Sequence, residues 1–453
     1  MLGIGKEVAC AAQQPTAERL EGLRKIIPCS TVKAILKKTG HLRHCKRVPK
    51  WFMVWFVIGM GLFATDNYRQ IYRWLQRFRP KTIPLRSTLC EARQRLGVAP
   101  LHWLTQHVVK LLANAKTPGA YYRDLRLMAV DGFVVDLADT PDIERVFGRP
   151  KNGRSSGAFP QARVLALCEV GTHVLWKFLI KPICRAEITM VAGLMRYLAS
   201  DMLLLWDRGF LSYKNVADVL KQKAHLLARI KKTNKFDKLQ VLSDGSYLAK
   251  MYESSKHRRN DQGGLLVRII EYTFEDKGRS GSGIPHRLLT TLLDANLDPA
   301  KILIELYHER WEEELAIDEL KTHQQQRPVL RSQTPAGVIQ EIYGMLLAHF
   351  VVRNLMVEAA AKNGLPPRRL SFTGTLKILR CRLPEVPRNE RGRQRWYRNL
   401  LTEIAEETLE ERRDRINPRV IKKKMSKWNK KRPEHRHNPQ PTMKFADSLK
   451  VGC

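Results

Sequence analysis

The stretch LYHERWEEELAIDELKTHQ, residues 306–324, carries Tyr307, Arg310, Glu314 and Lys321. A helix advances about 100° per residue, which puts the last three at roughly 300°, 340° and 320° from the tyrosine. On a single helix, expected from about residue 299 to 321, all four share an arc of about 60°. One carboxylate, two cations and a phenol on a narrow stripe suit a site for a metal ion and a phosphate. The helix returns the chain to an α/β layer begun far upstream, so its reading decides the fold class.

Charge points the same way. Lysine and arginine total 80 and aspartate and glutamate 44 among 453 residues, a net charge of +36. A field of that sign attracts nucleic acid. Hydrophobic residues make up 43%, which excludes wholesale disorder. The eight cysteines show no CxxC or Cys/His zinc spacing, which fits a reduced cytosolic chain better than a disulfide scaffold. No secretory signal opens the chain, and the apolar run Trp51–Ala64 is too short to span a bilayer. No membrane partner is expected.

Residues 20–120 read as all-helical. RLEGLRKII and STVKAILKK are amphipathic and basic, and WFMVWFVIGMGLFA is a core helix. In STLCEARQRLG, Thr88 and Glu91 have capping-box spacing and Gly97 supplies a stop. Leu89, Ala92 and Leu96 would form its buried face, leaving Arg93, Gln94 and Arg95 outward. It is either the recognition helix of a helix-turn-helix or a surface helix with solvated arginines. From 121 the pattern turns to strands: RLMAVDGFVVDLAD, a hairpin ARVLALCEVGTHVLWKFLIKP folded near Gly171, and MLLLWDRGF. Helices ITMVAGLMRYL and LSYKNVADVLKQK lie between and after them.

Residues 225–298 read as a mainly β insertion, 299–384 as the returning core, and 385–453 as a basic tail containing IKKKMSKWNKKRPEHRH. Residues 1–19 are an extension, and 121–224 the first part of the core.

Acidic residues are the minority, so those at special places are informative. Asp131 sits in or at the end of the run LMAVDG, and Asp207 closes MLLLWDRG. Ligands of α/β sheets collect at the carboxyl ends of strands. With Glu314 these make three carboxylates, enough to hold two divalent ions about 3.5–4 Å apart for in-line attack on a phosphodiester. Asp136, Asp139 and Asp142 compete with Asp131, and Glu312, Glu313, Asp318 and Glu319 with Glu314.

With these motifs the chain resembles the DDE transposases of the insertion-element-4 group. The Tyr-x2-Arg-x3-Glu-x6-Lys pattern is complete, and DGF at Asp131 and DRGF at Asp207 match the two aspartate blocks. FGRPKNGRSSGAFPQAR and LSDGSYLA extend the match over roughly residues 20–375. The resemblance implies a ribonuclease-H-like mixed-sheet α/β core, interrupted by a mainly β insertion, with an all-helical N-terminal DNA-binding domain. It implies that Asp131, Asp207 and Glu314 ligate two Mg²⁺ ions, with Mn²⁺ able to substitute. Tyr307, Arg310 and Lys321 would contact phosphates of the transposon end. Some relatives stack an insertion tryptophan on a flipped base. This chain has no tryptophan between Trp206 and Trp311, and the matching place falls near His286 and Arg287.

The function so implied is transposition of an insertion sequence. The protein would bind terminal inverted repeats, cleave a strand with metal assistance and join the 3′-hydroxyl to target DNA. Its partners would be double-stranded DNA, at transposon ends and target, and a second copy of itself in a synaptic complex. The alternatives are a metal-dependent nuclease without strand transfer and a non-catalytic DNA-binding protein descended from a transposase.

Overall fold

The computed structural model describes residues 18–41, 48–76, 83–152, 155–231, 233–276, 282–410 and 442–451. In chain order it runs α1 (Cys29–Lys38), α2 (Lys50–Leu62), α3 (Tyr68–Leu75), α4 (Arg86–Leu96) and α5 (Ala99–Val108). Then come β1 (Leu125–Asp136), α6 (Pro141–Phe147), β2 (Gln161–Glu169), β3 (Val174–Pro182), β4 (Met202–Trp206), α7 (Tyr213–Lys221) and β5 (His225–Arg229). They are followed by β6 (Tyr247–Met251), β7 (Leu265–Phe274), β8 (His286–Thr290), α8 (Ala300–His308) and α9 (Trp311–Asp318). The chain continues through α10 (Pro335–Lys362), α11 (Phe372–Arg382), α12 (Glu390–Glu406) and β9 (Leu449–Val451). It divides into two compact units, residues 1–197 with 312–409, and 198–311 with 410–453.

The first unit is organised around α10. Thr334 caps its start by accepting from Gly337 N at 3.2 Å, with Pro335 in the first turn where a missing N–H costs nothing. By length and composition this helix could cross a bilayer, but it is a buried core helix here. One side packs Leu347, Phe350, Val351 and Leu355 into a cluster with α1–α5, α11 and α12. The other side packs Val338, Ile342, Met345 and Leu346 against Phe133 and Val135 of β1 and Val164 and Ala166 of β2. Strands β1, β2 and β3 form an antiparallel sheet in which Asp131 stands opposite Ala166.

Helices α2 and α10 touch backbone to backbone. A Cβ on Gly61 would come within 2.4 Å of the Gly344 carbonyl oxygen, and one on Gly344 within 2.4 Å of the Val57 carbonyl oxygen. Residues 20–120 therefore share a core with the C-terminal helices and are not a separately packed domain. The boundary expected at 385 moves as well. Helix α12 buries Trp396, Tyr397, Leu400, Leu401 and Ile404 in the same cluster, because its apolar residues recur at helical spacing despite a polar average. The lysine-rich run 421–437 lies outside the described residues.

Helix α4 corrects two expectations. It starts at Arg86 after Leu85 with no side-chain cap, so Thr88 and Glu91 form no capping box. Arg93 is 4% exposed, not outward. Its guanidinium donates to Gln340 Oε1 at 2.9 Å, Ser332 Oγ at 2.8 Å and the Gly337 carbonyl at 2.6 Å. Three bonds meet acceptors around the start of α10 and a fourth, from Nη1, meets the Tyr68 hydroxyl, which offsets the cost of burying the charge. Gly97 does end the helix, with φ +66°.

The second unit has a mixed sheet. Strand β4 is parallel to β5 through the crossover helix α7, and the order continues antiparallel through β8, β7 and β6. Strand β5 thus joins β4 to the β-rich block, and the boundary drawn at 225 falls inside a hydrogen-bonded sheet. Residues 442–451 return to this unit. Strand β9 pairs with Tyr272–Phe274 of β7, and Phe445 stacks on His308 at 4.5 Å. Overall this is the mixed α/β architecture, with a helical N-terminal region, that the ribonuclease-H-like resemblance implies. The stretch 188–198 forms two single turns of helix, Glu187–Met190 and Ala192–Met195, in place of one helix.

Two tests follow from this packing. Gly344→Ala should cost about 1–3 kcal/mol or more by overpacking, read as a lower melting temperature. Gly209→Ala, whose Cβ would meet nothing within 4 Å, should change it little. Burial pushes the Tyr72 and Tyr343 phenols up to about 12. Unfolded tyrosines ionise near about 10, so this stabilisation is complete below that pH and is lost as pH rises towards 12. Phenolate absorbance and circular dichroism should change together across that window.

Candidate active site

Asp131 lies in the middle of β1, not at its end, and is half-buried. Its Oδ1 accepts from Gly132 N at 2.8 Å. Its nearby competitors are engaged elsewhere. Asp136 accepts from Gln161 Nε2 at 2.7 Å, Asp139 pairs with Arg149, and Asp142 pairs with Arg145 at 2.8 Å. Asp207 directly follows β4, as an aspartate closing an apolar strand should. Its carbonyl accepts from Phe210 N at 3.1 Å, and Asn215 of α7 holds the Phe210 carbonyl at 2.8 Å. That fixes the DRGF turn to the helix behind it.

The expected single helix is broken. Helix α8 stops at His308, Glu309 and Arg310 form a turn, α9 runs to Asp318, and Glu319–Gln325 is a π-helical segment. In the turn, Glu309 N reaches Leu306 O at 3.0 Å and Arg310 N reaches Tyr307 O at 3.1 Å, three-residue bonds that tighten the chain. A uniform rotation of about 100° per residue therefore does not run from Tyr307 to Lys321. Asp207, Tyr307 and Arg310 belong to the second unit, and Asp131, Glu314 and Lys321 to the first. Among the described residues, no three His, Cys, Asp or Glu side chains form a cluster able to hold a metal ion.

Tyr307 is anchored rather than splayed into solvent. Its hydroxyl donates to the Trp206 carbonyl at 3.3 Å, one residue before Asp207. Burial drives its phenol well above the ordinary value; Arg310 pulls it down and Asp207 adds to the rise. It therefore stays a neutral donor, beside one carboxylate and one guanidinium. The start of α8 is held as firmly. Asp244 accepts from Ala300 N at 2.8 Å and pairs with Arg268, which is fully buried and also donates to the Asp298 carbonyl at 2.7 Å. Burial would raise the Asp244 carboxyl, but Ser246, Ala300 and Arg268 together hold it below its usual range. Neither residue was singled out from sequence; the signal was the turn motif in LSDGSY, with Gly245 at φ +83°.

Helix α9 packs Ala316 and Ile317, and the π-helical segment after it packs Leu320, against the sheet of the first unit, leaving Glu314 half-buried and Lys321 exposed. Three carboxylates that keep some exposure suit a hard divalent cation, which takes oxygen ligands. His286 and Arg287 already have protein partners. His286 stacks on Tyr272 at 5.3 Å, and Arg287 pairs with Glu271 at 3.0 Å.

Comparison with known families decides what this set of elements belongs to. Residues 17–106 match the insertion element 4 transposase N-terminal model, and residues 122–351, half of the chain, match the transposase DDE domain model. The chain belongs to the DDE transposase family. The transposase InsG for insertion sequence element IS4 of Escherichia coli (strain K12) is 29% identical over 391 residues, 84% of this chain and 87% of that one. The putative transposase InsZ of the same organism is 24% identical over 168 residues, 37% of this chain and 56% of that one. A solved piggyBac transposase synaptic complex with hairpin DNA covers 85% of both chains at 12% identity, with a TM-score of 0.40. As a DDE transposase of the insertion-sequence type, the protein is a DNA-binding enzyme of strand cleavage and transfer, and its family uses divalent metal ions.

Tyr307→Phe should remove the bond to Trp206 and cost about 0.5–1.5 kcal/mol of stability, measured by denaturant unfolding. An unchanged midpoint would show that the hydroxyl does not anchor α8.

Proposed function

We propose that Asp131, Asp207 and Glu314 hold two Mg²⁺ ions, with Mn²⁺ able to replace them, and that Tyr307, Arg310 and Lys321 position the transposon end. Bound there, the ions would supply Lewis acidity for the attacking oxygen and the leaving oxygen. The chain's own part is orientation and charge. Arg310 and Lys321 offset phosphate charge, Arg310 from a turn of fixed geometry and Lys321 from an exposed position. Tyr307 holds the end of β4 and thereby the backbone that carries Asp207. That hydrogen bond carries the reading, because it joins the Tyr-x2-Arg pattern to the second aspartate block through a physical contact.

The reaction is hydrolysis of a strand at each element end, followed by attack of the freed 3′-hydroxyl on target DNA. Both are phosphodiester displacements, and neither needs a covalent intermediate on Ser or Tyr. Two ends require two active sites, so the working assembly is a homodimer or larger. It acts in the cytoplasm at the nucleoid. The basic run 421–437 adds sequence-independent affinity for DNA.

Duplexes copied from the DNA flanking the gene provide the end substrate. Asp207→Asn should abolish cleavage and leave end binding within about twofold; a variant that still cleaves would overturn the metal assignment. Wild-type protein should join a labelled end to plasmid DNA, and cleavage without joining would leave a nuclease. Lys321→Ala should weaken end binding and lower the slope of log affinity against log salt by about one.

A further inference from the structure

Helix α9 is gripped from behind by charged side chains that the proposed site does not use. Glu312 lies on α9, with Glu314 about 200° round from it, and Glu319 opens the π-helical segment that follows. His173, in the hairpin between β2 and β3, stands between Glu312 and Glu319. Its Nε2 lies 2.8 Å from Glu312 Oε2 and its Nδ1 lies 3.1 Å from Glu319 Oε1. Arg353 of α10 reaches the same Nδ1 at 2.6 Å and donates to both oxygens of Glu319, through Nε at 2.8 Å. Arginine has no acceptor, so Nδ1 accepts from Arg353, which carries the link on to Glu319, and the ring proton on Nε2 is donated to Glu312. His349 approaches Glu319 at 3.4 Å, and Arg368 approaches Glu312 at 3.8 Å.

The group is buried and costly to build. His173 and Arg353 are each 1% exposed and Glu319 is 7% exposed. Burial alone would raise the Glu319 carboxyl, yet the Arg353 guanidinium outweighs it above all and holds the group ionised, well below its usual range. His173 also sits at φ +57°, a backbone region that favours glycine or asparagine. A bulky imidazole there is a local burden, and its use is the bridge it makes.

We propose that His173 is a positioning residue of the transposase: by holding Glu312 on α9 and, through Arg353, Glu319 just beyond its end, it sets the direction in which Glu314 presents its carboxylate. The clamp rests on the reading of Glu314 as a metal ligand. His173 acts on Glu314 through the helix and not by contact; groups that orient a ligand commonly govern metal affinity by about 10–100-fold.

The test uses the full chain and the flanking-DNA duplexes. His173→Asn suits the left-handed backbone but is too short to reach both Glu312 and Arg353. It should bind end DNA within about twofold of wild type, yet need about tenfold more Mg²⁺ for half-maximal cleavage. Glu312→Ala, at a partly exposed residue, removes one arm of the clamp and should raise the Mg²⁺ requirement in the same direction, even if His173→Asn folds poorly. Folded variants with wild-type Mg²⁺ dependence would overturn the clamp, as would a loss of stability with no change in that dependence. Glu314→Gln in the same assay separates the two ideas. If it still cleaves, the metal assignment fails; if it is inactive while His173→Asn behaves as wild type, only the clamp fails.

Discussion

The constraint on which the first unit depends is the burial of α10 on both sides. A helix of 28 residues must find apolar partners all round, and it does so by lying between a helical cluster and an antiparallel sheet. Its approach to α2 is set by two glycines that leave no room for a Cβ. Its polar positions are spent on anchoring. Gln340 and the Gly337 carbonyl receive Arg93, and Arg353 holds Glu319. Helix α9 packs on the same sheet through Ala316 and Ile317, with Leu320 just beyond its end, so the position of Glu314 derives from the same core. The N-terminal helices and the segment that carries Glu314 thus pack against the two sides of one helix.

The second unit solves a different problem. Tyr307 must sit on a helix whose start and end are both tied to the sheet. Arg268 and Asp244 hold the start through Ala300, and the Tyr307 hydroxyl holds the end through Trp206. Each bond satisfies a group that burial would otherwise leave costly. The outcome is a short rigid path from the strand before Asp207 to the turn that carries Arg310.

Much of the fold was legible because its signals are local. Alternation and β-branching marked β1 and the hairpin, and the apolar run marked α2. Arg93 misled because its neighbours follow a helical period, while the acceptors that bury it lie far away in the chain. The break at Glu309–Arg310 had no glycine or proline to announce it. Helix α12 was hidden by its charge, since the average over 390–406 is polar although one face is not. The carboxylates were legible as residue types in a given order, and their engaged competitors were distinguished only by ion pairs seen in the fold.

By itself, the sequence determined the family, the sign of the partner's charge and the residue types available for the chemistry, because motif spacing and composition are one-dimensional properties. Only the tertiary structure decided that α8 and α9 are separate helices. It also decided that Arg93 is an internal strut, that Tyr307 bonds to Trp206 and that His173 links Glu312 to the Arg353–Glu319 pair. Each of these depends on which distant acceptor meets a donor, and burial makes an unmet donor too expensive to leave.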